Sequence, residues 1–274
     1  MRPLFLDAHR LALALAVGAA LAASPATADP VAAGVVERLD AASFTEREAA
    51  TQTLMADATQ TPDTLAAWLP LTRDRPEARA RLLAAMHHQH LREARLALEG
   101  PDAGGGLLQR AGRATLRGPG PGSLGVSHRA FPAGAMPGVD EPSIAVVRTL
   151  PGFPAHAKLR VGDLIVGLNG RPVAWPEPAF PDAEDRARRR IEDRRQRLLA
   201  DAARAATLFS EAVQTAGAGT SITLRVLRDG EPIEVALTLA RSAALRSLYP
   251  GDGSRDPDLG WAARRDALLA AAGG

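Results

Sequence analysis

Four side chains in one short stretch have the types for metal or acid–base chemistry: Met86-His87-His88-Gln89-His90 is followed by Glu93. Imidazole nitrogen with carboxylate oxygen suits zinc. On a helix, His90 shares a face with Glu93 or with His87, because residues three apart are neighbours. His87 and His88, however, point about 100° apart, and no distant His or acid is evidently recruited to complete a ligand set. The tract reads as polar positions along a helix, so no metal, cofactor or catalytic residue is assigned. His128 and His156 stand alone. There is no Gly-x-Ser-x-Gly elbow, no Gly-Asn-Ser-Gly loop, no His-Glu-x-x-His helix and no phosphate-binding Gly-x-x-x-x-Gly-Lys-Ser/Thr loop. A Ser/Lys dyad would need Lys158, the only lysine, which lies inside a turn-rich segment.

The elements around these residues fall into two kinds. Residues 31–98 have helical periodicity, with Val35, Val36 and Leu39, then Leu54 and Met55, then Leu82, Leu83, Met86 and Leu91 as apolar positions. Ser43 with Glu46, or Thr45 with Glu48, has capping-box spacing. Thr61 before Pro62 reads as an N-cap with proline in the first turn of a helix over 62–69, and a longer helix is expected from Pro76 to about Leu98. Leu39 to Thr51, followed by Glu77 to Leu82, is weakly similar to HEAT-type helical hairpins; a small helical bundle reads equally well. The Gly- and Pro-rich residues 99–121 form a linker.

Strands dominate from Gly122. Candidates are Leu124–Phe131, Ser143–Leu150, Leu164–Leu168, Ser221–Leu227 and Pro232–Leu239. Asn169-Gly170 and Asp229-Gly230 supply tight hairpin turns, since both residue types tolerate positive φ. A charged segment, 177–204, interrupts the series. Its opposite charges sit three and four apart, which supports a solvated helix with a thin stripe of Ile191, Leu198, Ala202 and Ala205. The tail, 242–274, has room for a short helix.

Composition narrows the class. The 274-residue chain has a formal net charge of +2, and aromatics are 4% of its residues. That charge gives little general attraction for nucleic acid, and stacking aromatics are missing from the Arg-rich segment. With no cysteine, disulfides and thiolate metal sites are excluded. Arg2 and Arg10, the apolar run Leu11–Ala23 and the small residues Ala26-Thr27-Ala28 fit a cleavable secretory signal over 1–28. The run is short for a membrane span. A periplasmic or secreted protein without stable membrane insertion is therefore expected after cleavage.

The strand-rich half has the order Gly122-Ser-Leu-Gly-Val126, Pro154-Ala-His-Ala-Lys-Leu159, Val161-Gly162-Asp163, Asn169-Gly170 and a closing hairpin within Thr220–Leu239. That order resembles PDZ domains of bacterial exported proteins, similar to those of HtrA-like proteases, with the protease domain absent. The resemblance covers 122–241 once the charged helical insertion is set aside. It implies an α+β fold: a small α-helical region, HEAT-like or bundle, followed by a PDZ-like, partly open β-barrel with a long inserted helix. It also implies a non-catalytic groove for C-terminal or extended peptide segments. Backbone N–H groups of Leu124 and Gly125, with Ser123, would hold the terminal carboxylate. Val126, Ser127 and His128 would pair with the peptide as an added strand, and Phe209, Ala212 and Val213 would line the side-chain pocket. The implied partners are protein C-termini, an envelope protease or its substrates. Two alternatives stay open: a hydrolase with an unrecognised site, and a structural protein that pairs through the charged helix while its groove is vestigial.

Overall fold

The computed structural model describes residues 30–99, 120–176, 191–249 and 257–273. The expected signal segment, nearly all of the linker and the first part of the charged insertion lie outside them.

Four helices come first: α1 (Pro30–Leu39), α2 (Phe44–Ala56), α3 (Pro62–Ala66) and α4 (Pro76–Glu99). The start of α2 is set by Ser43, whose Oγ accepts the Glu46 N–H at 3.5 Å. Thr61 and Thr64 cap α3 reciprocally: the Thr64 N–H donates to Thr61 Oγ1 at 3.1 Å and the Thr61 N–H to Thr64 Oγ1 at 2.8 Å. Sequence spacing extends this helix to Leu69, but it ends at Ala66 and gives way to a 3-10 turn, Leu69–Thr72. Pro70 brings no N–H to continue the α ladder. The apolar faces meet around Val36, Leu39, Leu54, Leu65, Leu82 and Met86.

The second half is an antiparallel sheet in the order β2 (Val126–Phe131), β3 (Ser143–Thr149), β4 (Leu164–Leu168), β6 (Ser221–Arg228), β7 (Glu231–Thr238), with β5 (Arg171–Pro172) on β4. A separate pair joins β1 (Gly122–Ser123) to β8 (Ala240–Arg241). Among the described residues the sheet does not close, and β2 and β7 are its edges. Both predicted hairpin turns form with left-handed backbone, at Asn169 (φ 51) and Gly170 (φ 76) and at Asp229 (φ 54) and Gly230 (φ 85). Asn169 Oδ1 also accepts the Thr223 N–H at 2.9 Å, which ties the first turn to β6.

The charged segment runs straight into the helix that covers the sheet, as one element, α5 (Ile191–Ala216). Its C-terminal part buries Ala205, Phe209 and Val213 against Ile144, Ile165, Leu224 and Val226. Towards its start, Leu198 is 45% and Leu199 63% exposed, so the apolar stripe leaves the sheet before that point. The tail adds two helices, α6 (Ser242–Leu248) and α7 (Trp261–Gly273). Among the described residues no helix is long and apolar enough to cross a membrane.

The two halves are packed together. Leu91 of α4 shares a cluster with Leu150, Phe153, Ala240, Leu248 and Tyr249. Gly152 makes this approach possible. Its φ is +82, and a Cβ there would stand 2.7 Å from the Leu91 backbone. The Gly152 N–H donates to His88 Nδ1 at 3.1 Å, and its carbonyl accepts from Arg95 Nε at 2.8 Å. Glu99 then accepts the Arg241 N–H at 2.7 Å and Arg95 Nη1 at 2.6 Å. Tyr249 donates its hydroxyl proton to the Pro151 carbonyl at 2.8 Å.

The His87–His90 tract is therefore a seam between elements. His88 stacks on His156 with centroids 5.1 Å apart, while His87 stacks on Trp261 of α7 at 5.2 Å. Arg264 of α7 reaches His90 Nδ1 at 3.2 Å and Glu93 Oε2 at 2.7 Å. Residues whose types suit a metal thus hold α4 to its neighbours. Burial pushes the His88 imidazole well below the usual histidine range, with His156 next in effect. The ring is neutral and accepts at Nδ1, so its proton is on Nε2.

Candidate functional site

The loop Gly122–Val126 is fixed from beneath by the segment Leu150–Ala155. The Leu150 N–H donates to the Gly125 carbonyl at 2.8 Å and the Ala155 N–H to the Leu124 carbonyl at 3.3 Å. All described peptide bonds are trans, and in a trans peptide C=O and N–H point in opposite directions. With the Leu124 and Gly125 carbonyls turned down, the N–H groups of Gly125 and Val126 turn up, towards the cavity above the loop.

Glycine is required at 125. Its φ is +72, and a Cβ would stand 2.2 Å from Phe153 Cβ. Phe153 is fully buried, packs edge-on against Tyr249 at 5.9 Å and lies 5.9 Å beneath the Arg95 guanidinium. The loop conformation thus rests on a ring held by α4 and α6.

The cavity is about 160 Å³ and lies between the loop, β2 and α5. Leu124, Val126, Phe209 and Val213 give it apolar walls. Ser123 is buried, and its Oγ accepts the Gly125 N–H at 3.3 Å, a long bond that a better acceptor can displace. His128 bridges strand and helix: its Nε2 is 3.3 Å from Ser210 Oγ and 3.4 Å from the Ala206 carbonyl, and its ring meets Phe209 edge-on at 5.5 Å. That bridge bounds the cavity along β2.

Of the residues expected from sequence, Ser123, Leu124, Gly125, Val126, His128, Phe209 and Val213 meet at this cavity. Ser127 and Ala212 do not line it. Ser127 alternates to the other side of β2, where its partner is Arg148, and Ala212 is exposed on α5. Of the expected donors, Gly125 turns up, and Val126, expected only to pair as a strand, turns up beside it.

Sequence reasoning missed the contribution of α6. Ser242 closes the loop from behind, donating Oγ–H to the Gly122 carbonyl at 2.6 Å and its N–H to the Pro121 carbonyl at 2.9 Å. Leu245 and the exposed Arg246 complete the wall. The only early signal was the apolar spacing Ala244, Leu245, Leu248, in a tail with no motif of its own.

Residues 113–175 match the family model of the PDZ domain, which takes in the loop and β2–β5 and leaves most of the chain outside the match. No curated protein matches the chain. Among solved structures, the chain is similar to an HtrA-type protease AlgW with decapeptide, at 20% identity and a TM-score of 0.27, over 44% of this chain and 29% of that one. A variant of that protease, also with decapeptide, matches at 19% identity and a TM-score of 0.27, over 54% of this chain and 34% of the other. The chain thus spans about a third of the length of these proteins.

Proposed function

We propose, from the premise that the chain carries a PDZ domain, that it binds the C-terminal residues of other proteins and works as an exported adaptor without catalysis of its own. One observation carries this reading: the Leu124 and Gly125 carbonyls are tied down beneath the loop, which leaves the amides of Gly125, held only by Ser123 Oγ at 3.3 Å, and Val126 on the side of an apolar cavity at the end of an edge strand. A terminal carboxylate needs several converging donors, and amides of a Gly-rich turn provide them without a titratable group. Arg246 at the rim adds a cation for the same charge. A cavity of about 160 Å³ suits one terminal side chain. Beyond it, the peptide backbone would add to the outer edge of β2, with His128 meeting the residues upstream of the terminus.

Export rests on the charged n-region, the apolar run Leu11–Ala23 and the small residues at Ala26-Thr27-Ala28. An envelope protease or its substrates would be suitable partners for such an adaptor.

The test is a titration of the full chain with a library of C-terminal peptides, each as free acid and as amide. Saturable binding of free acids ending in an apolar residue, weakened at least ~10-fold by amidation, is expected. Equal affinity for acid and amide, or no binding by any free acid, would sink the reading.

A further inference from the structure

A larger cavity, about 540 Å³, lies on the other side of the seam, between α4 and the C-terminal end of β7. Its volume is that of a small-molecule site, which typically runs from about 300 to 1,000 Å³. Four cationic side chains line it: Arg92, Arg95, Lys158 and Arg241. Glu99 is the one carboxylate among its described lining residues, and both of its oxygens are occupied, by Arg95 Nη1 and the Arg241 N–H.

Two of the other cations, Arg92 and Lys158, are held by neutral acceptors. Arg92 Nη1 donates to the Ala58 carbonyl at 3.2 Å and to Gln89 Oε1 at 3.0 Å, and Lys158 Nζ donates to the Ala236 carbonyl at 2.6 Å. Such bonds orient a cation without cancelling its charge. Asp57 and Glu93 favour the charged form of Arg92 from outside the cavity, yet burial, with Arg95 next, holds its guanidinium below the usual arginine range. Leu96, 46% exposed, and Leu237 add apolar surface to the cavity lining. An excess of fixed positive charge beside apolar wall is complementary to a ligand with an anionic head and an apolar body.

We propose that this cleft is a second binding site, separate from the groove, for a small organic anion with an apolar portion. Carboxylates and phosphate monoesters share that chemistry.

The full chain is titrated calorimetrically, at constant ionic strength, with benzoate and phenyl phosphate, and in parallel with benzyl alcohol and inorganic phosphate. Saturable binding of benzoate or phenyl phosphate at one per chain is expected, and the tighter of the two identifies the head group. Benzyl alcohol and inorganic phosphate, each carrying half of the required chemistry, should bind at least ~10-fold more weakly. The double variant Arg92→Gln, Lys158→Gln should weaken the anion ~10-fold or more, whereas Arg246→Gln, at the groove, should leave it unchanged. Should the double variant fail to fold, Lys158→Gln alone, at an exposed position, should still weaken the anion ~3-fold. The proposal is overturned by any of four results: no saturation below about 10 mM; undiminished affinity in the folded variants; loss with Arg246→Gln; or an acidic peptide that binds the cleft when neither small anion does. Peptide capture in the groove is read with separate ligands, so either site can fail without the other.

Discussion

As proposed, the groove and the cleft would recognise charge by opposite means. The groove uses backbone: two amides aimed by a loop whose carbonyls are tied down, with glycine at the one position where a Cβ would strike Phe153. The cleft uses side chains: guanidinium and ammonium groups drawn from α4, the segment after Phe153, and β8. A backbone site comes from a few consecutive residues and has a local signature. A side-chain site is assembled across the fold and has none. Phe153 and Gly152 lie between the two, so a change there reaches both.

The most severe way to break the comparison is Phe153→Ala. Loss of a fully buried ring should cost about 3–5 kcal/mol. Denaturant unfolding should show that loss, with groove and cleft binding weakened together; retention of normal peptide affinity would show that the loop does not rest on the ring.

Gly125→Ala separates the two. A side chain in left-handed backbone that also collides with Phe153 should cost about 2–4 kcal/mol. Peptide binding should be lost, while the cleft, on the far side of the ring, should keep its ligand in whatever fraction remains folded.

Next comes the seam. Because the folded His88 is held well below 6.5, its contribution to stability is intact above that pH, where the unfolded imidazole is neutral too. As pH falls below 6.5 the unfolded chain takes up a proton that the folded chain refuses. Stability should then fall by up to about 1.4 kcal/mol per pH unit until the folded state is itself protonated. Urea unfolding from pH 7 to 4.5 should show this slope as the difference between the wild type and His88→Gln. Parallel curves would mean His88 does not titrate differently on folding.

The smallest effect is expected from Glu141→Gln, which removes the half-exposed ion pair with Arg225. A stability change under about 1 kcal/mol, with both sites unaffected, is the outcome. A larger one would mean that surface charge matters more here than the two sites suggest.

Much of the sheet is legible in the sequence. Asn169-Gly170 and Asp229-Gly230 need positive φ, which marks hairpins directly. Gly122 to Val126 placed the loop, and Thr61-Pro62 placed the start of α3. Phe153 was not legible, because it sits between Gly152 and Pro154 in a turn with no periodicity to reveal a buried face. The role of His88 was hidden for another reason. Its partner is the backbone N–H of Gly152, 64 positions away, and any residue but proline brings such a donor. The addition of Val126 to the expected donors is the kind of detail that a motif cannot carry. It depends on which carbonyls the underlying segment captures.

Trp261 belongs to the same core as Val36, Leu39 and Leu82, although it enters the chain long after them. Chains are synthesised from the N-terminus, and contacts of wide sequence separation form late. The first four helices leave the ribosome long before residues 261–273, so their core is completed only by a segment made much later. Removing residues 261–273 would therefore take a member from the core of the first four helices, although no residue of those helices is changed.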